Sequence, residues 1–398
     1  MVAEKGRRTI LGADFEIFVL GIVSFLTDVS SEMIFAVLSI FLTVVLGASA
    51  IILGLMEGLA DFTSSSLDFV SGYFSDKTGR RKIFALSGYT FSTAAKTFLV
   101  FATSVLSVMI FRIIERLGKS IRGPPRDALI SSISSSEKRG FSFGFHKAMD
   151  KFGAILGPLI AYFLLERFGQ TAETFRLIFI IAVVPALLSV IVIALFVKDR
   201  PEKKQPKMEI LKTYESLGSG YKHFLKSSGI FSLAYFSFAF LLLKSYLAGF
   251  EIKDVALLYA LFNIVFVIVS IPIGRLGDKI GRKWIIILGY LIYGTMSAGF
   301  IFASTKPAVI LMFVLYGIFY AIDDAQIKAY ITDLSDKESR ATAIGIYNFV
   351  TGLIYLPASL IAGALWSCAG PAYTFGFAAI ITAAGGSYFL FGGKTDNN

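Results

Sequence analysis

Ionisable residues recur inside the long apolar stretches of this 398-residue chain. Asp28 and Glu32 lie one helical turn apart in the first apolar stretch, and Arg112 lies in the fourth. A charged side chain in hydrocarbon costs about 2.5–3.5 kcal/mol on insertion scales, so it is seldom retained without a partner or a water-filled cavity. Desolvation favours the protonated form of a carboxyl group, whereas a nearby cation favours the ionised form. A cation that moves away therefore lets a proton bind, and the pattern predicts proton coupling.

The candidate residues for proton coupling or substrate binding are ionisable and lie well inside an apolar segment. They are Asp28, Glu32, Arg112, Glu115, Lys119, Lys244, Asp323, Asp324 and Lys328. Asp28 and Glu32 against Arg112 are our first choice for the proton switch, and the alternative at any one position is a permanent structural salt bridge. The cations of the set would suit an anionic metabolite, whereas its acids would suit an organic cation or a metal ion.

The segments that carry these residues predict an integral membrane protein. Hydrophobic residues make up 55% of the chain and its mean hydropathy is +0.72, which is too apolar for a soluble protein of this length. Crossing a bilayer as a helix takes about 20 residues. Twelve segments near that length are predicted at 15–43, 50–74, 83–103, 106–130, 141–166, 175–197, 228–249, 254–275, 283–303, 307–332, 341–365 and 371–392. We therefore expect an all-α membrane fold of twelve transmembrane helices.

The net charge of +10 is concentrated in alternate loops. The loops after segments 2, 4, 6, 8 and 10 are rich in lysine and arginine, whereas the loops after segments 1, 3 and 11 carry no charged residue. Cytoplasmic loops of membrane proteins show this excess of positive charge. We therefore expect a multi-pass protein of the inner (cytoplasmic) membrane with both termini in the cytoplasm. The basic residues then lie near membrane lipid, and we expect no nucleic-acid partner.

A short basic motif occurs twice in the chain. The first copy runs from Gly72 to Lys82 and the second from Gly274 to Lys283, each between two apolar segments, and 202 residues separate Asp76 from Asp278. A repeat of this kind indicates two similar halves in tandem. We expect an N-terminal six-helix bundle at 1–197, a cytoplasmic linker at 198–227 and a C-terminal six-helix bundle at 228–398.

The repeated motif, read as Gly-x-x-x-Asp-x-x-Gly-Arg-Arg/Lys after a second apolar segment, resembles the major facilitator superfamily over essentially the whole chain, and in particular its drug/proton antiporter-like bacterial and archaeal members. The resemblance implies two pseudo-symmetric six-helix bundles that rock about a central site, lined mainly by segments 1, 4, 7 and 10. Inward-facing and outward-facing states would then alternate.

Two further motifs match this superfamily less fully. The stretch from Arg112 to Gly118 resembles the arginine-containing motif of segment 4, with Glu115 where glutamine is common. The stretch from Gly153 to Ala161 resembles the motif associated with antiporters, with Ala161 in place of its final glycine. Its residues Gly153, Gly157 and Pro158 predict a hinge or a tight helix seam, and ordinary packing is the alternative.

The basic loops and their surroundings predict a cytoplasmic gate. Asp76 can cap the start of a facing helix and pair with an arginine across the bundle, a contact that exists only when the cytoplasmic side is closed. The alternative is that the basic residues merely set topology and contact lipid phosphates. The candidate gate residues are Gly72, Asp76, Gly79, Arg80, Arg126, Asp127, Asp150, Asp278 and Arg282.

These patterns favour a secondary active transporter of a small solute by alternating access, with proton-coupled efflux of an organic compound preferred. Proton-coupled symport of an anionic metabolite, metal-ion transport, and a non-transporting receptor on the same scaffold are the alternatives. No nucleotide-binding loop or nucleophile elbow is present, so we do not expect an enzyme. With one cysteine and two histidines we expect no metal site and no cofactor. The expected partners are the solute, protons and membrane lipid, and the expected state is a monomer.

Overall fold

The computed structural model describes residues 9–135, 138–199, 214–336 and 339–392, and these residues are overwhelmingly helical. The main helices are α1 (Phe15–Ile40, continued by a π-helical turn at Phe41–Val45), α2 (Ala50–Thr78), α3 (Arg81–Val100), α4 (Val105–Ile133), α5 (Arg139–Phe168), α6 (Ala172–Phe196), α7 (Ser219–Ser232), α8 (Ala239–Leu247), α9 (Ile252–Ile280), α10 (Arg282–Phe302), α11 (Lys306–Asp333), α12 (Arg340–Cys368) and α13 (Pro371–Phe391). Eleven of the twelve predicted segments each coincide with one helix. The exception is segment 7, which α7 and α8 share.

Nine helices in the described ranges are long and apolar enough to cross a membrane. The other segments fall short for visible reasons. α3 begins with Arg81 and Lys82 and contains Lys96, and α4 carries a stripe of arginines and lysines. α7 and α8 are only 14 and 9 residues long, because the backbone leaves the helix between them. The charged residues of α3 and α4 must therefore be held inside the protein.

The described residues form two compact units that differ from the two halves of the sequence. Residues from 1–41 and 66–206 form the first, which we call the N-unit, and residues from 42–65 and 207–398 form the second, the C-unit. The first half of α2 therefore packs in the C-unit. The predicted domain boundaries at 197 and 228 stay a prediction, since residues 200–213 lie outside the described ranges.

Within the N-unit, α1 packs against α5 and α6, and α3 packs against α4 and α6. A cluster of buried apolar side chains from α1, α3, α4 and α6 forms its core. Within the C-unit, α11 packs against α9 and α10, and α13 packs against α10 and α7. The two units thus use related helices in related ways, as the repeat in the sequence predicts.

A small β-hairpin precedes α1 and was not predicted from the sequence. Strand β1 (Thr9–Ile10) pairs antiparallel with β2 (Ala13–Asp14). Leu11 and Gly12 form the turn with φ of 51° and 80°, the left-handed conformation that two-residue hairpin turns require. Ala13 is buried, and β2 packs against α1 and α5.

Candidate functional site

The N-unit holds a group of charged residues on α1, α3, α4 and α5, which we call the charge cluster, and all of them except the exposed Lys119 are buried or half-buried. Its members are Asp28, Glu32, Lys96, Arg112, Glu115, Lys119, Arg122 and Asp150. The helices α1, α3, α4 and α5 bring these residues together. Their apolar faces pack against one another, and the polar stripe of α4 lies between the helices. The cluster contains five of the nine residues predicted for proton coupling or substrate binding.

Asp28 pairs with another acid. Asp150 on α5 lies beside its carboxyl group, and Glu32 and Lys119 are also within electrostatic range. The Ser24 hydroxyl donates to Asp150 Oδ1 over 2.6 Å. Asp150 was predicted to belong to the cytoplasmic gate. It lies beside Asp28, the first-choice proton residue, and also within electrostatic range of Arg126, another predicted gate residue, so its gate role stays a prediction.

Arg112 pairs with its own helix. Its Nη1 atom lies 3.3 Å from Glu115 Oε2, and the two side chains are 5% and 6% exposed. The guanidinium also lies 4.6 Å from the ring centre of Phe35, three residues beyond Glu32 on α1. A guanidinium over an aromatic ring is stabilised by the ring quadrupole. Arg112 therefore contacts both Phe35, on the helix that carries Glu32, and Glu115, on its own helix.

Lys96 is the most deeply buried cation of the cluster. The side chain is fully buried, and its Nζ donates to Ser31 Oγ over 2.8 Å and to the carbonyl of Thr27 over 3.5 Å. Both acceptors lie on α1 next to Asp28. Arg122 is likewise buried, donates to Ser92 Oγ and lies 4.9 Å from the ring centre of Tyr89. These partners satisfy two cations that hydrocarbon would otherwise exclude.

The glycines of α5 lie directly against the backbone that carries Asp28 and Glu32. A Cβ atom added at Gly153 would lie 2.5 Å from the carbonyl oxygen of Phe25 and 3.0 Å from the Cβ of Asp28. One added at Gly157 would lie 2.7 Å from the carbonyl oxygen of Val29 and 3.0 Å from the Cβ of Glu32. Only glycine allows this approach, so the antiporter-like motif is a tight α1–α5 seam.

The C-unit has a different chemistry. Around Asp323 on α11 lies a set of aromatic rings, which we call the tyrosine cage: Tyr235, Tyr320, Tyr347 and Tyr355. Tyr235 and Tyr355 have ring centroids 5.3 Å apart. Asp323 is within electrostatic range of Tyr235, Tyr347 and Tyr355. Asp323 and Asp324 are half-buried.

The two remaining candidate lysines lie apart from the cage. Lys328 is exposed near the end of α11, and Lys244 is half-buried on the short helix α8.

The repeated basic loops fold alike. In the N-unit, Arg81 lies 3.6 Å from Asp76 and donates to the carbonyl of Ala128 on α4 over 3.5 Å. Gly79 has a φ of 68°, which explains the need for glycine in the turn. The partner of Asp76 thus lies at the start of the next helix, and it is Arg81 rather than Arg80, which is exposed.

In the second copy, Arg282 lies 3.1 Å from Asp278 and 2.9 Å from Asp333. Its Nη1 atom also donates to the carbonyl of Ala329 over 2.7 Å, and the two arginines and their carbonyl acceptors are each 47 positions apart. Gly281 has a φ of 95°.

Among the other gate residues, Arg126 pairs with its neighbour Asp127 over 3.0 Å, and Gly72 approaches Pro124 closely. That the loops act as a latch between states stays a prediction.

Comparison with known proteins places this arrangement in a family. The sequence profile of the Major Facilitator Superfamily matches residues 20–255 and again residues 248–397. The chain belongs to the major facilitator superfamily. The expected all-α membrane fold of two pseudo-symmetric bundles is thereby confirmed, and so is the resemblance drawn from the repeated motif. The family consists of membrane transporters, so the chain is an integral membrane protein of a transporter family.

Individual relatives agree with this assignment. The chain is 39% identical to the uncharacterised MFS-type transporter MJ1317 of Methanocaldococcus jannaschii over 381 residues, covering 94% of each. It is 24% identical to the multidrug resistance protein MdtH of Aeromonas hydrophila over 75% of each chain. The crystal structure of the nucleoside transporter NupG superposes with a TM-score of 0.76 at 12% identity, over 95% of this chain and all of that one. The last likeness shows the fold alone.

Two structural features of this superfamily member were not predicted from the sequence. The first is the break in segment 7, for which no glycine or proline between residues 233 and 238 gives a signal. The second is Glu57 on α2, which is 1% exposed and accepts a hydrogen bond from Ser237 Oγ over 3.2 Å. The sequence shows that Glu57 lies in an apolar segment, but it does not reveal that Ser237 is its partner. Within the described ranges, no group of three or more histidine, cysteine or acidic residues could hold a metal ion.

Proposed function

We propose that this chain is a proton-coupled secondary active transporter that exports a small organic compound by alternating access in exchange for protons. The observation that carries the proposal is the juxtaposition of the carboxyl groups of Asp28 and Asp150, with Glu32 also within electrostatic range of Asp28. Two carboxylates held close together repel each other, and one shared proton relieves that repulsion. The pair is the proton-binding site that we propose within the N-unit.

The surroundings of the pair supply the means to release that proton. Lys119 lies within electrostatic range of Asp28 and is exposed, so it can move relative to the acids. A cation that approaches favours the ionised form, and a cation that withdraws favours proton binding. The α1–α5 seam brings the backbone of α5 directly against the part of α1 that carries Asp28 and Glu32. A shift of α5 along α1 would thus act directly on the shared proton.

Efflux is preferred over uptake for two reasons. The seam at Gly153 and Gly157 corresponds to the motif associated with antiporters, and MdtH, a relative over three quarters of the chain, is named a multidrug resistance protein. Symport of an anionic metabolite is the second candidate, because Lys96, Arg112 and Arg122 place three buried cations in the N-unit. We further propose that the chain lies in the inner membrane with both termini in the cytoplasm, since its loops rich in lysine and arginine alternate with loops that carry few or no charged residues.

The proposal is tested with purified protein in liposomes under an imposed pH gradient. A panel of radiolabelled organic cations, anions and neutral solutes is offered, and movement of an accepted solute against its gradient is measured. The Asp28→Asn and Asp150→Asn variants should each lose transport driven by the pH gradient while retaining exchange of solute for solute. Glu166→Gln, an exposed acid on the same helix α5, should transport like the wild type.

Two results would overturn the proposal. One is transport of every accepted solute at the same rate with and without a pH gradient, which would leave facilitated diffusion. The other is normal gradient-driven transport by folded Asp28→Asn and Asp150→Asn variants, which would place the coupling proton elsewhere. Uptake of an anion with protons, in place of export, would select the second candidate.

A further inference from the structure

The backbone leaves the helix in the middle of segment 7. Residues from Leu233 to Phe238 join α7 to α8 without regular helical hydrogen bonds. At membrane depth such backbone is tolerated only where it is buried in protein or lines a water-filled cavity. The Tyr293 hydroxyl donates to the carbonyl of Ala234 over 2.8 Å, and Ser237 Oγ accepts from the amide of Ala239 over 3.2 Å. Broken helices in transporters commonly form substrate sites.

The break presents Tyr235 to other rings of the C-unit. Its centroid lies 5.3 Å from that of Tyr355, 5.9 Å from that of Tyr293 and 6.0 Å from that of Phe319. Tyr293 and Phe319 are buried, whereas Tyr235 and Tyr355 keep part of their surface accessible. The rings therefore form two layers, with a buried layer that fixes the orientation of an accessible one.

Asp323 belongs to the accessible layer. It follows Phe319 and Tyr320 by one helical turn on α11, so it shares their face of the helix. Like Tyr320 and Tyr347 it is half-buried. In the described part of the chain, no lysine or arginine lies within ion-pair distance of its carboxylate, although Lys328 is in electrostatic range. A carboxylate surrounded by tyrosine rings and without an ion-pair partner is poised to receive a positive charge from outside the protein.

We infer that the tyrosine cage and Asp323 form a binding site for the cationic group of an organic substrate, an ammonium or a similar delocalised cation. This inference rests on the proposed function and names the class of its substrate. Aromatic faces attract cations through the ring quadrupole, and the carboxylate supplies the opposite charge. An anion would meet the negative ring faces and Asp323 together. A bare metal ion would lack ligands, because no third acid or histidine in the described ranges completes a site.

The site is tested by binding rather than by transport. Radiolabelled tetraphenylphosphonium is equilibrated with the purified full chain in detergent, and tetraphenylborate, which has nearly the same shape and the opposite charge, is the matched probe. The wild type should bind the cation and not the anion. Asp323→Asn, nearly isosteric with the wild type, should weaken binding about tenfold or more, since it removes the carboxylate that lies among the tyrosine rings.

Tyrosine variants separate the ring from its hydroxyl group. Tyr355→Phe keeps the ring and should change the Kd of the cation by less than about twofold, whereas Tyr355→Leu removes the ring and should weaken binding by roughly 3- to 30-fold. Asp254→Asn and Tyr373→Leu alter an acid and an exposed tyrosine elsewhere in the C-unit and should bind like the wild type. Elution in size-exclusion chromatography and an unchanged Tm establish that each variant is folded.

The outcomes distinguish this site from the proposed transport. Failure of the wild type to bind tetraphenylphosphonium, binding of tetraphenylborate in its place, or unchanged cation binding by folded Asp323→Asn would each overturn the site, even if other solutes move under a pH gradient. Cation binding that depends on Asp323 and Tyr355, in a chain whose transport ignores the pH gradient, would support the site and overturn proton coupling alone.

Discussion

At the scale of single residues, Arg80 and Arg81 differ although they are neighbours. Arg81 is 4% exposed and contacts both Asp76 and the carbonyl of Ala128, whereas Arg80 is exposed. Arg81→Ala should destabilise the N-unit by about 1–2 kcal/mol, because it removes both the contact with Asp76 and a charged hydrogen bond to the part-buried carbonyl of Ala128. Arg80→Ala should change stability by less than about 0.5 kcal/mol. Thermal unfolding followed by intrinsic fluorescence measures both, and equal Tm values for the two variants would contradict this account.

The sequence could predict the loop around these arginines but not their roles. The motif predicts a turn with glycine and a pattern of charge that recurs in two copies, and the left-handed φ at Gly79 and Gly281 confirms the turn. Which arginine is buried depends on the residue at which α3 begins, and helix ends are the least predictable feature of a sequence. That Asp150 lies beside Asp28 depends on how α5 packs against α1, which the spacing of residues in the sequence does not reveal.

At the scale of helices, the α1–α5 seam links structure to the proposed proton site. Gly153→Ala places a Cβ atom 2.5 Å from the carbonyl oxygen of Phe25, so α5 must move away from α1. We expect a lower Tm and a loss of transport driven by the pH gradient, because the move separates Asp150 from Asp28. Gly144→Ala on the same helix has nothing within 4 Å of the added atom and should behave like the wild type. A Gly153→Ala variant with wild-type transport would show that the seam is ordinary packing.

Helix positions were otherwise well predicted, because membrane-spanning helices are set mainly by the run of apolar residues. The predicted segment 175–197 and the observed helix Ala172–Phe196 differ by only a few residues at either end. Segment 7 shows the limit. Residues 233–238 are apolar or aromatic except for Ser237, so hydropathy predicts an unbroken helix there, whereas in the structure Tyr235 leaves the helix and packs against Tyr293, Phe319 and Tyr355.

At the scale of the whole molecule, the first half of α2 packs with the C-unit although it belongs to the first half of the sequence. Gly58 approaches the backbone of Leu356 on α12, with an added Cβ atom 3.1 Å from its carbonyl oxygen, and Gly363 similarly approaches Ala50. Glycines on both helices therefore allow α2 and α12 to pack backbone to backbone. In the proposed alternating-access cycle the two halves of the transporter part on one side at a time, so we predict that this contact is transient.

A reversible cross-link tests whether that contact must open. The amide of Ile51 donates to Ser367 Oγ over 3.1 Å, and both side chains are exposed. In a Cys368→Ser background, Ile51→Cys with Ser367→Cys should form a disulfide on mild oxidation, and oxidation should stop transport until a reductant restores it. The pair Ser104→Cys and Ser107→Cys, whose hydroxyl oxygens lie 2.7 Å apart within the N-unit, should cross-link without loss of transport. Undiminished transport by the oxidised Ile51–Ser367 pair would mean that α2 and α12 stay together throughout the cycle, and another contact would then have to open.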